Sequence, residues 1–270
     1  MQHESMDDEL RARLWNCLDS CYWRRVPDHH LGATDHPAAE GVRVLLFRVW
    51  DRFWKKPLDS IPAYWSEAYR TLRERFFACP WNEAYDFVEF VAQEHPSPFQ
   101  NTFFTEECNH VLEAELSGYR FVSGIVTEIT SEQEIVEIEQ ALDGPPSLKP
   151  VRTHLQTALE RFADRQKPDY RNSIKESVSA VEALCARISG KRKATLGDAL
   201  KIVADKVGLH AALQTAFSSL YGYTSDGDGI RHALLDEQNL TSDDAKFMLV
   251  ACSAFVNYLT ALAGRAGLKL

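Results

Sequence analysis

Three observations predict a mainly α fold in two parts with one small β-hairpin. Apolar residues recur at three- and four-residue spacing through most of the 270 residues. The period shortens only between residues 119 and 129, where β-branched and aromatic residues flank Ser123-Gly124. Gly144-Pro145-Pro146 then interrupts the helical pattern decisively, because glycine is a poor helix former and proline lacks the amide a helix interior requires. The predicted domains are therefore residues 1–145 and 146–270, each long enough to bury its own core.

In the first part, helices are predicted over residues 6–22, through VRVLLFRVWDRFW, and over 62–78, 80–94 and 99–117. The second of these presents Val42, Leu45, Leu46, Val49 and Phe53 on one broad face. The segments over 62–78 and 80–94 each start near a proline, and His95-Pro96-Ser97-Pro98 separates the last two helices. Tyr119–Val122 and Ile125–Ile129 form the hairpin, which must lie against helices because two strands cannot bury their own faces. Ser131 with Glu134 predicts a capping box, opening a helix whose buried side is Ile135, Ile138 and Leu142.

In the second part, helices are predicted over 150–166, 169–189, 195–207, 209–221, 229–236 and 242–264. Ile174, Val178, Val181, Cys185 and Ile188 form one continuous stripe. The final segment is apolar almost all round and is expected at the centre of the bundle. Thr241 or Ser242 should cap it, with Asp243 and Asp244 complementing its dipole.

The hydrophobic fraction of 45% and charged fraction of 26% are those of a globular protein. Val44–Phe47 is bounded by Arg43 and Arg48, and no membrane span is expected. The acidic start, MQHESMDDEL, lacks the basic and apolar regions of a secretory signal, so a cytoplasmic location is expected. The six cysteines contain no CxxC pair and are expected as free thiols. Cys17 and Cys21, with His29, His30 and His36 downstream, match no usual zinc pattern, and Asp226-Gly227-Asp228-Gly229 puts Ile230 at the third ligand position of a calcium loop, where an oxygen donor is required. No metal or other cofactor is expected. Residues 1–145 hold 13 Lys and Arg against 26 Asp and Glu; residues 146–270 hold 17 against 13. Any anionic partner is therefore expected at the second half.

Two stretches carry a family resemblance. One is Glu113-Ala114-Glu115-Leu116-Ser117-Gly118-Tyr119-Arg120-Phe121-Val122, followed by Ile129–Ile135. The other runs from Pro168-Asp169-Tyr170-Arg171-Asn172 through Ala180–Leu184, Leu220–Asp226, Gly229-Ile230-Arg231-His232-Ala233-Leu234 and Ala254–Leu259. Together they resemble bacterial abortive-infection proteins of the AbiJ type, in which a variable N-terminal domain precedes a HEPN-like helical module. The resemblance implies a phage-defence effector, a homodimer formed through a C-terminal HEPN-like bundle, RNA as a partner of that bundle, and an N-terminal domain that meets a protein or phage trigger. Many HEPN modules are metal-independent endoribonucleases with an Arg and a His a few residues apart; others only bind or dimerise. Both activities remain open here.

The candidate catalytic residues are His232 and Arg231. Imidazole titrates near neutrality and can take a proton from a ribose 2′-hydroxyl, while guanidinium can neutralise charge growing on the phosphate. The two are adjacent, however, where the family pattern separates them, and helical neighbours diverge by about 100°. The alternative has Arg231 paired with Asp226, Asp228 or Asp236 and His232 stabilising a loop. Arg171 and Asn172, at a helix start where a cation opposes the dipole, are candidate RNA contacts or members of a cross-helix ion pair. Lys191-Arg192-Lys193 is a basic loop suited to a nucleic-acid backbone or simply to solvent. All six tryptophans fall at or before residue 81. Most are expected in the core, with Arg52-Phe53-Trp54-Lys55-Lys56 the segment best placed to form an exposed binding face.

Overall fold

Periodicity fixes which residues a helix buries, and the helices predicted above assemble into two compact units, Met1–Thr130 and Ser131–Leu270. The computed structural model describes residues 2–24, 26–27, 30–31, 37–191, 196–225 and 240–270. Among these residues the protein is mainly α, with a single two-stranded antiparallel hairpin. The predicted helix over 229–236 lies outside the described residues.

The first unit begins with α1 (Asp8–Leu18), whose N-cap Asp7 accepts the Leu10 amide; the helix widens into a π turn over Asp19–Trp23. Helix α2 (Pro37–Arg48) ends in the same way, over Val49–Phe53. Next come α3 (Trp65–Ala78), α4 (Trp81–Glu94) and α5 (Pro98–Ala114), the last with Pro98 in its first turn and Ser97 accepting the Gln100 amide. Leu10, Leu14, Leu45, Leu46, Leu72, Val88 and Phe104 are completely or almost completely buried at their convergence.

Strands β1 (Arg120–Val122) and β2 (Ile125–Thr127) pair in the register Arg120 with Thr127 and Val122 with Ile125. Ser123 and Gly124 both hold positive φ, as a right-twisted two-residue hairpin turn requires. Side chains of the flanking helices satisfy the ribbon's backbone. Asn109 of α5 donates to the Phe121 carbonyl (3.0 Å) and accepts the Phe121 amide (2.7 Å), while Glu89 of α4 accepts the Val126 amide (2.8 Å). An isolated two-stranded ribbon is marginal in water; here it is stitched to its support.

The second unit opens with α6 (Glu132–Leu142), whose N-cap Ser131 accepts the Glu134 amide. It continues through α7 (Lys149–Ala163), α8 (Tyr170–Ser189), α9 (Leu196–Val207), α10 (Ala211–Ser225) and α11 (Ser242–Arg265). Helix α8 packs along α7, α9 and α11, and α11 also meets α6. Asn257 of α11 donates to both the Glu137 carbonyl and the Glu137 carboxylate, each at 2.9 Å. Contact thus places α6 with the second unit, although the Gly144-Pro145-Pro146 break follows it in sequence.

A complete capping box forms at α11. Thr241 accepts the Asp244 amide while the Asp244 carboxylate accepts the Thr241 amide. Helix α11 is long and apolar enough to cross a membrane, and half of its most apolar stretch is buried within the bundle. A core helix has the same composition, and this one lies against α8, α7 and α6.

Candidate functional site

The candidate residues fall at three places in the second unit. Arg231 and His232, together with the Asp226–Gly229 loop, lie outside the described residues, as do Arg192 and Lys193. The segment that carries Arg231 and His232 leaves the end of α10 at Ser225 and rejoins the described chain just ahead of the Thr241 cap of α11. Helix α10 packs against α9 and α8, and its Phe217 ring stacks on Phe255 of α11.

Arg171 and Asn172 occupy the first turn of α8. Asp169 is the N-cap, and its carboxylate accepts the Asn172 backbone amide at 3.0 Å and the Asn172 side-chain amide at 2.7 Å. Burial pushes the Asp169 carboxyl up, but the two bonds from Asn172 and the charges of Arg161 and Arg171 outweigh it, leaving it below its ordinary range. The cation at a helix start therefore has a local reason. An ionised cap stands beside Arg171 and offsets its unfavourable position in the dipole. The Asn172 side chain is committed to this cap.

Lys191 lies exposed beyond the other end of α8, with its amide on Ser189 Oγ at 3.2 Å. Gly190 closes the helix at φ 78, a left-handed conformation that costs glycine no side-chain clash. Lys206 of α9 donates to the Ile188 and Ser189 carbonyls at 3.0 and 3.1 Å, placing a cation on the negative end of the dipole. Helix α8 has 20 residues and is roughly 30 Å long. Arg171 and Lys191 consequently cannot grip one phosphate within a single chain; together they could only flank an extended polyanion.

Residues distant in sequence supply one further polar pair. His154 of α7 hydrogen-bonds through Nδ1 to Glu176 Oε2 of α8 at 2.6 Å, with both side chains partly exposed. A carboxylate at that distance fixes the ring's orientation, and protonated imidazole would make the pair ionic. Nothing in the sequence marked it, because the partners stand on different helices and neither belongs to a motif.

In the first unit, Trp15, Trp23, Trp50 and Trp65 are buried, whereas Trp54 and Trp81 are only partly covered. Cys17 and Cys21 are buried free thiols; the hydrogen bond with Cys108 holds the Cys17 thiol down, and burial pushes Cys108 up. Among the described residues, no group of three His, Cys, Asp or Glu side chains could hold a metal ion.

Comparison with known proteins locates the first part of the chain. Residues 1–143 match the model of AbiJ N-terminal domain 4, a span that takes in every element from α1 through α6. No curated protein and no solved structure matches the chain. The matched span exceeds half of the sequence, and the chain belongs to the AbiJ N-terminal domain 4 family, within the setting of abortive infection and phage defence.

Proposed function

We propose that the protein is a phage-defence effector whose second unit is a HEPN-like bundle acting as a metal-independent endoribonuclease. It works as a cytoplasmic homodimer, with RNA meeting the second half of the chain and the first unit receiving a protein or phage trigger. The observation that carries this reading is the position of Arg231 and His232. They sit in the segment joining α10 to the capped start of α11, within the half of the chain that holds the excess of Lys and Arg. His232 takes the proton from a ribose 2′-hydroxyl. That oxygen attacks the adjacent phosphorus, the 5′-oxygen leaves with a proton, and a guanidinium holds the phosphate charge. The products are a 2′,3′-cyclic phosphate and a 5′-hydroxyl.

A second reading is favoured by a specific observation at α8. Asn172 is committed to the Asp169 cap, and Arg171 stands in the field of that carboxylate. The Asn172 side chain and the Arg171 charge thus already have a task at that cap. On that reading the bundle dimerises and binds without cleaving. Total RNA incubated with wild type and His232→Ala separates the two. The nuclease reading expects the variant to lose about 10²- to 10⁴-fold in cleavage rate. Equal and negligible cleavage by both proteins leaves only the binding role.

A further inference from the structure

Residues 1–145 carry twice as many acidic as basic residues, yet one corner of the first unit concentrates cations that form no ion pair among the described residues. It begins where α2 ends. In the π turn over Val49–Phe53, the Trp54 amide reaches back to the Val49 carbonyl and the Lys56 amide to the Trp50 carbonyl, each at 2.8 Å. Lys55 lies between them at φ 51, the left-handed conformation in which glycine usually closes a helix. A lysine there is strained, and an unstrained alternative was chemically available. The strain is accounted for if the ammonium group has a task.

What surrounds Lys55 suggests that task. Lys55 and Lys56 are exposed, and with Arg75 they form no ion pair among the described residues. Their neighbours Arg48 and Arg52 behave differently, both engaging Glu94, at 3.3 and 3.0 Å. The Arg75 guanidinium instead lies over the Trp54 indole, 4.5 Å from the ring centroid. Trp50 meets Trp54 edge-on at 4.6 Å, and Phe87 lies nearly parallel to it at 6.3 Å. The partly buried rings of Phe53 and Phe90 adjoin this cluster, 5.2 Å apart. The corner therefore combines two solvated ammonium groups with an arginine plane layered on aromatic rings. Bases stack on aromatic and guanidinium planes, and lysines follow phosphates.

We propose that this corner binds single-stranded nucleic acid, with Lys55 and Lys56 on the phosphates and a base stacked against the Trp54–Arg75 layer. A duplex hides its base faces and cannot use the stack. An acidic peptide would satisfy the lysines but has no comparable planar face for the layer. The proposal is independent of His232 and of any cleavage.

Fluorescence anisotropy with the full chain and a labelled single strand of about 16 nucleotides tests it. DNA is the first probe because it lacks the 2′-hydroxyl, so binding is read whether or not the protein is a nuclease; RNA of the same sequence is the second arm. Lys55→Glu/Lys56→Glu is expected to lower affinity by at least about tenfold at low salt. It should also flatten the log–log salt dependence by roughly 0.7 per lost contact. Lys55→Gly separates function from scaffold: it should raise the thermal midpoint by relieving the backbone while weakening binding severalfold. The proposal is overturned by absent wild-type binding, by affinity unchanged in the double variant, or by Lys55→Gly stabilising without loss of affinity. A duplex bound as tightly as the single strand, or a polyglutamate peptide bound in its place, would overturn it equally.

Discussion

The first unit buries many rings among its aliphatic side chains, whereas the interior of the second, Phe162 and Phe255 apart, is aliphatic and small among the described residues. Trp23, Tyr85, Phe104, Tyr119 and Phe121 are among the largest fully buried residues, and all belong to Met1–Thr130. In Ser131–Leu270 the buried set includes Ala158, Ser173, Ser177, Ala180, Ala245, Ser253 and Ala263. Helix length accounts for the contrast. The first unit has helices of 11 to 17 residues, two of which end in π turns, and broad side chains fill the space between such short elements. Helices α8 and α11, of 20 and 24 residues, pack against each other, and small residues let such backbones approach closely. On α8, the buried Ser173 hydroxyl donates to the Ala158 carbonyl of α7 at 2.8 Å and Ser177 to the Ser173 carbonyl at 2.9 Å.

Core substitutions test this contrast most severely. Phe104→Ala should cost about 3–5 kcal/mol, since nothing nearby can collapse into the space of a ring. Ala180→Leu should cost about 1–3 kcal/mol through overpacking of α8. Urea unfolding measures both. An Ala180→Leu protein as stable as wild type would refute close approach as the basis of the second core.

Helix caps give a smaller effect and probe the second unit alone. Thr241→Ala removes the box at α11, and Asp169→Ala removes the cap at α8; each should cost about 1 kcal/mol. Asp169→Ala also releases the Asn172 side chain and removes the carboxylate beside Arg171. If RNA binding exists at this helix start, its affinity should change along with stability, as a filter-binding titration would show.

Mild acid provides the gentlest test. Burial holds the His95 imidazole below its ordinary 6.5, so it stays neutral in the folded first unit after the unfolded chain has begun to take up protons. Its contribution is whole above 6.5 and is lost as the pH falls from there towards the depressed folded value. Asp169 and Asp244 are depressed carboxyls in the second unit; their contribution is present above 3.8 and disappears only as the pH falls through their lower folded values. The first unit should thus soften before the second. All six tryptophans lie in the first unit, so their fluorescence should lose thermal stability at higher pH than far-ultraviolet circular dichroism, which averages both units. Coincident pH profiles would remove His95 as the cause.

Most of the helices could be read in the chain because each carries its own apolar stripe. The stripe from Ile174 to Ile188 is buried on α8, and Thr241 caps α11. The hairpin was equally legible from Ser123-Gly124 and its flanking residues. The π turns after α1 and α2 were not, since one extra residue per turn barely alters an apolar pattern. At the candidate site, sequence singled out Arg171 and Asn172 by their position at a helix start; the Asp169 cap that occupies Asn172 stands only three residues away and is equally local. The His154–Glu176 pair and the Arg75–Trp54 layer left no trace in spacing.

Sequence alone determined the helical class, the place of the hairpin, the caps and the uneven distribution of charge, because these depend on residues within a few positions of one another. Tertiary structure decided that α6 joins the second unit, that Glu94 draws off Arg48 and Arg52, that Arg75 lies over the Trp54 indole, and that Lys55, Lys56 and Arg75 form no ion pair among the described residues. Those outcomes depend on which helices pack together, and a charge is neutralised or left available by neighbours that the linear chain places far away.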